Sequence, residues 1–248
     1  MKTFAITGVA GYIAPRHLQA IRDTGNMLVA ACDPHDSVGI LDRHFPDTAF
    51  FTEFERFDRH LDKLRRCGQG IDYLAICSPN NLHDAHIRLA LRLGADAICE
   101  KPLVLNPWNL DALHELEEET GKRIYTILQL RVHAALIELR RQLEHSRSSA
   151  KHDVCLTYVT SRGPWYRYSW KGSNDRSGGV ATNIGIHFFD LLLWLFGSVR
   201  SSEVHLSECE RMSGHVELDR ARVTWFLSIK KEDLPADAVK EGKTTYRS

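Results

Sequence analysis

The sequence predicts an α/β domain built on a parallel sheet, followed by an α+β domain whose open sheet is largely antiparallel. Three observations predict it. Residues 1–130 alternate short apolar runs with amphipathic, helix-period segments, the pattern of βαβ units. Residues 131–248 instead carry longer β-rich runs at 154–160, 199–209 and 216–229, with no regular helical alternation. Third, Ala97-Ile98-Cys99-Glu100-Lys101-Pro102 is an apolar run that ends in a carboxylate, an amine and a proline. It reads as a buried strand delivering its last side chains to the edge where open α/β sheets keep their ligands.

Taken in order, residues 3–7 form a strand that runs into Gly8-Val9-Ala10-Gly11-Tyr12-Ile13-Ala14, and Leu18, Ile21 and Thr24-Gly25-Asn26 outline the helix that follows. A second strand, 27–32, ends in Asp33, twenty-five positions after Gly8. Strand, glycine turn, helix, strand and acid together form the pattern that binds a dinucleotide: the turn and helix start meet phosphate and the acid meets ribose hydroxyls. Ala10 stands where GxGxxG has its second glycine, a departure that a small side chain tolerates. Asp33 would repel a 2′-phosphate, and no arginine immediately follows it, so NAD is expected over NADP.

Residues 53–66 place Phe54, Phe57, Leu61 and Leu64 at helical spacing and lead into the core strand 71–77. That strand ends in Ser78-Pro79-Asn80-Asn81, followed by His83 and a helix through Leu93-Gly94. His83 and His86 are three apart but lack a third ligand at compatible spacing, so contact with solvent or cofactor is expected rather than a metal. A helix from about 107 to 119 closes at Thr120-Gly121, and the strand 124–129 completes the first domain. A helix with Leu136, Ile137, Leu139 and Leu143 then leads into the polar stretch 146–150, the expected connection between domains. In the second half, the segment from about Ile186 is apolar enough to require burial, and it carries His187 and Asp190 on one face.

With 248 residues and 43% apolar content the chain has ample material for a packed core. Lysine plus arginine (32) equals aspartate plus glutamate (32), so no overall field recruits nucleic acid or anionic membrane. The six cysteines have no CxxC spacing, and four lie in apolar, strand-like contexts; reduced thiols and a cytoplasmic location are expected. The N-terminus enters a strand with no signal-peptide hydrophobic region, and no apolar run approaches the length of a membrane span, which predicts a soluble protein.

A nicotinamide enzyme that oxidises an alcohol needs a base for the hydroxyl proton, and the candidates are Lys101 and His187. Histidine starts near 6.5 and lysine near 10.4, so His187 is the better base, with Lys101 kept cationic to hydrogen-bond the same oxygen. Asp190 is placed to orient a neighbour. Arg162-Gly163-Pro164-Trp165-Tyr166-Arg167-Tyr168-Ser169-Trp170-Lys171 combines aromatic faces with cations, as a ligand with a flat base and anionic groups requires. A subunit interface or an amphipathic surface loop is the competing reading of that stretch; nucleic-acid binding lacks a wider basic footprint.

The glycine turn, Asp33, Ser78-Pro79-Asn80, Glu100-Lys101-Pro102 and Gly185-x-His187-x-x-Asp190 resemble the Gfo/Idh/MocA oxidoreductase family in order and spacing over nearly the whole chain. Within it, residues 11–17, 128–131, 160–163 and 180–185 are similar to the dehydrogenases that oxidise C3 of UDP-N-acetyl-2-amino-2-deoxy-glucuronate in bacterial O-antigen synthesis. The resemblance implies NAD-dependent formation of a 3-keto UDP-sugar, 2-oxoglutarate as a hydride acceptor, and a homotetramer. It implies catalytic roles for Lys101, His187 and Asn183, the last standing where much of the wider family has aspartate. Gly8, Ala10, Gly11, Tyr12, Ile13, Asp33, Ser78, Pro79, Asn80, His83, Glu100, Lys101 and Gln129 are the expected cofactor contacts. Lys101, Arg131, Arg162, Trp165, Tyr166, Lys171, Asn183 and His187 are the expected substrate contacts. Family members run on for roughly sixty residues past the equivalent of Ser248, so the second domain is expected to lack its last strands and closing helix. Two other readings stand beside this one: a dehydrogenase of free polyols such as inositol, and a non-catalytic dinucleotide-binding protein.

Overall fold

Thr3–Thr7 (β1) alternates its side chains between two faces of a sheet, and both faces are covered: Ala5 and Ile6 are fully buried on opposite sides. In the computed structural model, which describes residues 1–145 and 150–248, this strand starts a unit spanning Met1–Ile127. The chain continues through α1 (Ala14–Asp23), β2 (Met27–Cys32), α2 (Ile40–His44), β3 (Ala49–Phe51), α3 (Phe54–Arg66) and β4 (Tyr73–Ile76). It then forms α4 (His83–Arg92), β5 (Asp96–Cys99), α5 (Asn109–Thr120) and β6 (Ile124–Thr126). The strand order is β3-β2-β1-β4-β5-β6 and every pairing is parallel. This is the doubly wound Rossmann order, whose reversal between β1 and β4 opens a crevice at the strands' carboxyl ends.

Two apolar clusters hold the sheet. Leu18 and Ile21 of α1 and Leu41 of α2 pack with Ile6, Ala31 and Ala75 on one face. Phe57 and Leu61 of α3, Ile87 and Leu91 of α4 and Leu113 of α5 pack with Ala5, Leu74 and Ile76 on the other. Fully burying each such large side chain contributes about 1.5–3 kcal/mol. Gly121 ends α5 in the left-handed region at φ 65°, as the Thr120-Gly121 signal predicts.

The second unit, Leu128–Ser248, contains α6 (Ala134–His145), β7 (His152–Thr160), α7 (Trp165–Tyr168), α8 (Asn174–Ser177) and α9 (Ile186–Phe196). It ends with β8 (Val199–Ser207), β9 (Arg211–Leu218), β10 (Ala221–Ser228), α10 (Ala236–Lys240) and β11 (Thr245–Arg247). The sheet order is β11-β7-β10-β9-β8. Three of its pairings are antiparallel, whereas β7 and β10 run parallel, Val154 opposite Val223. The run 216–229, expected as one strand, is the end of β9 and all of β10, separated by a tight turn at Asp219-Arg220.

The two units divide at Ile127–Leu128, three residues before the expected 130/131; of the polar stretch 146–150, expected to connect the domains, only Ala150 lies among the described residues. Contrary to expectation, one helical stretch, Asn174–Phe196, is long and apolar enough to cross a membrane by length and composition. Here its Val180, Leu192, Leu195 and Phe196 pack with Val216, Val223 and Leu227 of the sheet. Gly185 permits that approach, since a Cβ there would stand 2.7 Å from Leu227 Cδ1 and 2.8 Å from Phe189 Cε2. All six cysteines are free; Cys32, Cys77 and Cys99 are buried, whereas Cys155 in β7 is exposed.

Candidate functional site

The chemistry of the first unit gathers where β1, β2, β4 and β5 end. Gly8 adopts φ 76°, and a Cβ there would stand 2.5 Å from the backbone of Cys77 and Ser78, so only glycine lets the turn lie against the end of β4. Gly11 N–H donates to Gly8 O at 3.0 Å and closes the turn. No side chain caps the N-terminus of α1. Asp33, nearly buried, accepts from Ala10 N–H at 3.0 Å and from His35 N–H at 2.9 Å, which joins the turn to the end of β2. An ionised carboxylate has about four acceptor positions, so two remain for ribose hydroxyls. Tyr12 is 86% exposed beside this turn. A turn that a Cβ would fill, an uncapped helix start and a fixed carboxylate at the next strand end fit a dinucleotide.

The ends of β4 and β5 are cross-tied. Ser78 Oγ lies 2.9 Å from His86 Nδ1, which also lies 3.1 Å from Thr7 Oγ1. His83 is fully buried, with Nδ1 2.7 Å from Pro102 O and Nε2 2.9 Å from Ser78 O; both carbonyls only accept, so the neutral ring gives its one N–H to one of them, and the shorter contact assigns it to Nδ1. Both rings are buried and engaged within the protein, so the expected contact with solvent is not made. Burial lowers the pKa of both, and that of His86 falls to about 4. Glu100 pairs with His17 of α1 at 2.9 Å, and Lys101 follows, joined to Pro102 by a cis peptide bond. Burial pushes the thiols of Cys77 and Cys99 well up, so neither serves as a thiolate near neutrality.

In the second unit, Asn183 lies in a π-helical turn, Ala181–Gly185, immediately before α9, a local irregularity that often accompanies function. Its Nδ2 donates to Tyr166 Oη at 3.4 Å. His187 is in the first turn of α9, and one turn on Asp190 accepts from Arg131 Nε at 2.8 Å and Nη2 at 2.5 Å. The carboxylate raises the pKa of Arg131, which therefore stays charged. Lys171 Nζ lies 4.6 Å from the Trp170 ring centroid, and burial, aided by the charge of Arg162, lowers its pKa. A cavity of about 290 Å³ is lined by Tyr166, Arg167, Lys171, Asn174, Val180 and Glu210 among others.

The structure thus brings together Gly8, Ala10, Gly11, Tyr12, Ile13 and Asp33 around one turn, with Ser78, Pro79, Asn80, Glu100 and Lys101 at the neighbouring strand ends. Gln129, expected beside the cofactor, falls in the second unit, in the turn that also carries Arg131. Of the aromatic and cationic stretch, Tyr166 and Lys171 share the cavity, while Trp165 and Arg162 are exposed and do not line it. Sequence reasoning missed His17 and the partners of His83, because each tie closes only in the fold.

A doubly wound sheet with a fitted dinucleotide turn, followed by a mixed-sheet unit that presents an amide, an imidazole and cations, is the architecture of a dinucleotide-dependent oxidoreductase. The chain belongs to the Gfo/Idh/MocA oxidoreductase family: its NAD-binding Rossmann fold matches residues 2–128 and its C-terminal alpha/beta domain matches residues 152–232. The crystal structure of the WlbA (WbpB) dehydrogenase from Thermus thermophilus in complex with NAD and alpha-ketoglutarate is 54% identical, with a TM-score of 0.97 over 100% of this chain and 80% of that one. The same dehydrogenase in complex with NAD and UDP-GlcNAcA matches with a TM-score of 0.96 and the same coverage. Inositol 2-dehydrogenase of Rhizobium meliloti (strain 1021) is 26% identical over 139 residues, 56% of this chain but only 40% of that protein's length.

Proposed function

We propose that the chain is an NAD-dependent dehydrogenase that oxidises the C3 hydroxyl of UDP-N-acetylglucosaminuronic acid to the 3-keto sugar. The observation that carries this is 54% identity, along the whole chain, to a dehydrogenase solved with NAD and with UDP-GlcNAcA. Inositol dehydrogenase is matched at 26% identity over about half of the chain, which disfavours the free-polyol reading. The nucleotide turn and Asp33 fit NAD rather than NADP, since Pro34 and His35, not arginine, follow the acid.

The chemistry NAD supplies when bound is acceptance of a hydride from the carbinol carbon. His187 takes the hydroxyl proton as general base, and Lys101 donates a charged hydrogen bond that stabilises the developing alkoxide. Asn183, with its amide next to Tyr166 Oη, orients a sugar hydroxyl without competing for the proton. Lys171, Arg162 and Arg131 supply cationic donors for the diphosphate and the uronate carboxylate, and Tyr166 and Trp165 supply aromatic faces for uracil. 2-Oxoglutarate is the proposed final hydride acceptor. The reading places the protein in the cytoplasm, as a homotetramer, in synthesis of a lipopolysaccharide sugar.

The test is incubation of the purified protein with NAD, UDP-N-acetylglucosaminuronic acid and 2-oxoglutarate, followed by mass spectrometry of the sugar nucleotide. A 3-keto product with matching reduction of 2-oxoglutarate supports the proposal. Oxidation of inositol with an unchanged nucleotide sugar would overturn it.

A further inference from the structure

Past Glu100 the chain leaves the sheet. Glu100 N–H makes the last ladder-type bond on its side, to Ile76 O at 3.0 Å, and Pro102 has no N–H to donate. Lys101 sits just beyond the end of β5, and charge placement must be accurate to a fraction of an ångström for catalysis. Two histidines tie the chain on either side of it. His83 of α4 ties the residue after Lys101, through Nδ1 to Pro102 O at 2.7 Å. His17 of α1 ties the residue before it, through Nε2 to Glu100 Oε1 at 2.9 Å.

The two ties come from opposite faces of the sheet, because α1 packs with the cluster of Ile6 and Ala75, and α4 with the cluster of Leu74 and Ile76. Both rings are withdrawn from solvent: His83 is fully buried and the His17 side chain is only 12% exposed. We propose that His17 and His83 are positioning residues, a two-sided clamp that fixes Lys101 for the reaction. The clamp rests on the reading of Lys101 as the charged donor to the reacting oxygen.

Amide substitutions separate positioning from general support. Asparagine places an amide N–H where the imidazole Nδ1 stands, and glutamine places one where Nε2 stands. His83→Asn therefore keeps the tie to Pro102 and His83→Gln loses it, while for His17 the order reverses: His17→Gln keeps the tie to Glu100 and His17→Asn loses it. The four variants and Lys101→Ala are assayed with NAD and UDP-N-acetylglucosaminuronic acid, with kcat counted per NAD-binding site so that unfolded protein does not enter. Amide exchange of the 100–104 segment is measured in the same proteins without ligand.

The clamp predicts that His83→Gln and His17→Asn lower kcat by about 10- to 100-fold, leave NAD affinity little changed, and speed exchange at 100–104. His83→Asn and His17→Gln should retain most of kcat and the exchange rate of the unmodified protein. Equal kcat within each pair, or unchanged exchange in all four, overturns the clamp while an inactive Lys101→Ala leaves the lysine's role standing. A fully active Lys101→Ala removes that role, and the clamp's purpose with it.

Discussion

Asp190 grips Arg131 with both carboxylate oxygens, at 2.8 and 2.5 Å, and so fixes the turn Gln129–Val132 to α9 one helical turn beyond His187. The pair is asymmetric in its surroundings: the Asp190 side chain is 11% exposed and that of Arg131 46%. Solvent screens the arginine, so breaking the pair costs less than the 3–5 kcal/mol of a fully buried one. Asp190→Asn is expected to destabilise the second unit by roughly 1–2 kcal/mol. Urea unfolding should show a lower midpoint with an unchanged slope, and an unchanged midpoint would show that the pair contributes nothing net.

Gly8→Ala combines a left-handed backbone with a Cβ 2.5 Å from the Cys77 carbonyl, and backbone cannot swing away as a side chain would. The expected loss is about 3 kcal/mol or more, together with loss of NAD binding, because the turn must lift off β4. Thermal unfolding and an NAD titration check both. A variant that binds NAD normally would mean the turn is not the cofactor's cradle.

His86 lies under Phe54, the rings stacked at 4.6 Å, and burial, aided by neighbouring His83, pushes its pKa down to about 4. In the unfolded chain it titrates near 6.5, so the unfolded state binds the proton more readily. Stability is therefore untouched above pH 6.5 and falls as pH drops from there toward about 4. The loss approaches ~3 kcal/mol for this group, and the lowered pKa of His83 acts in the same direction. Urea midpoints at about pH 7.5 and about pH 4.5 should differ, and His86→Asn should flatten the difference. An equal slope in that variant would assign the acid sensitivity elsewhere.

Lys101→Ala and His187→Ala should each keep NAD affinity while lowering kcat by about 10² to 10⁴-fold, the range of a lost charged donor or general base. Near-normal rates in both variants would eliminate the assigned chemistry.

Much of the first unit is legible in the sequence because fully covered parallel strands read as continuous apolar runs, and because Gly8 and Asp33 report backbone and charge requirements locally. The parallel pairing of β7 with β10 is not, since strand direction leaves no trace in a strand's own periodicity and Val154 meets Val223 only through the fold. The turn between β9 and β10 is hidden because Asp219-Arg220 contains neither glycine nor proline. His83 looks like a polar residue at a helix start, and only the approach of Pro102, nineteen positions on, turns it into a buried tie. His17 is eighty-three positions from Glu100 and carries no local sign of that contact.

We propose that this chain oxidises a UDP-linked uronic sugar with NAD. The most direct measurement is a single turnover: protein loaded with NAD is mixed with UDP-N-acetylglucosaminuronic acid, without 2-oxoglutarate, and the absorbance of reduced nicotinamide is followed. Reduction that saturates with the bound NAD and reverses when 2-oxoglutarate is added is expected. No reduction with the nucleotide sugar, alongside reduction with inositol, would contradict it.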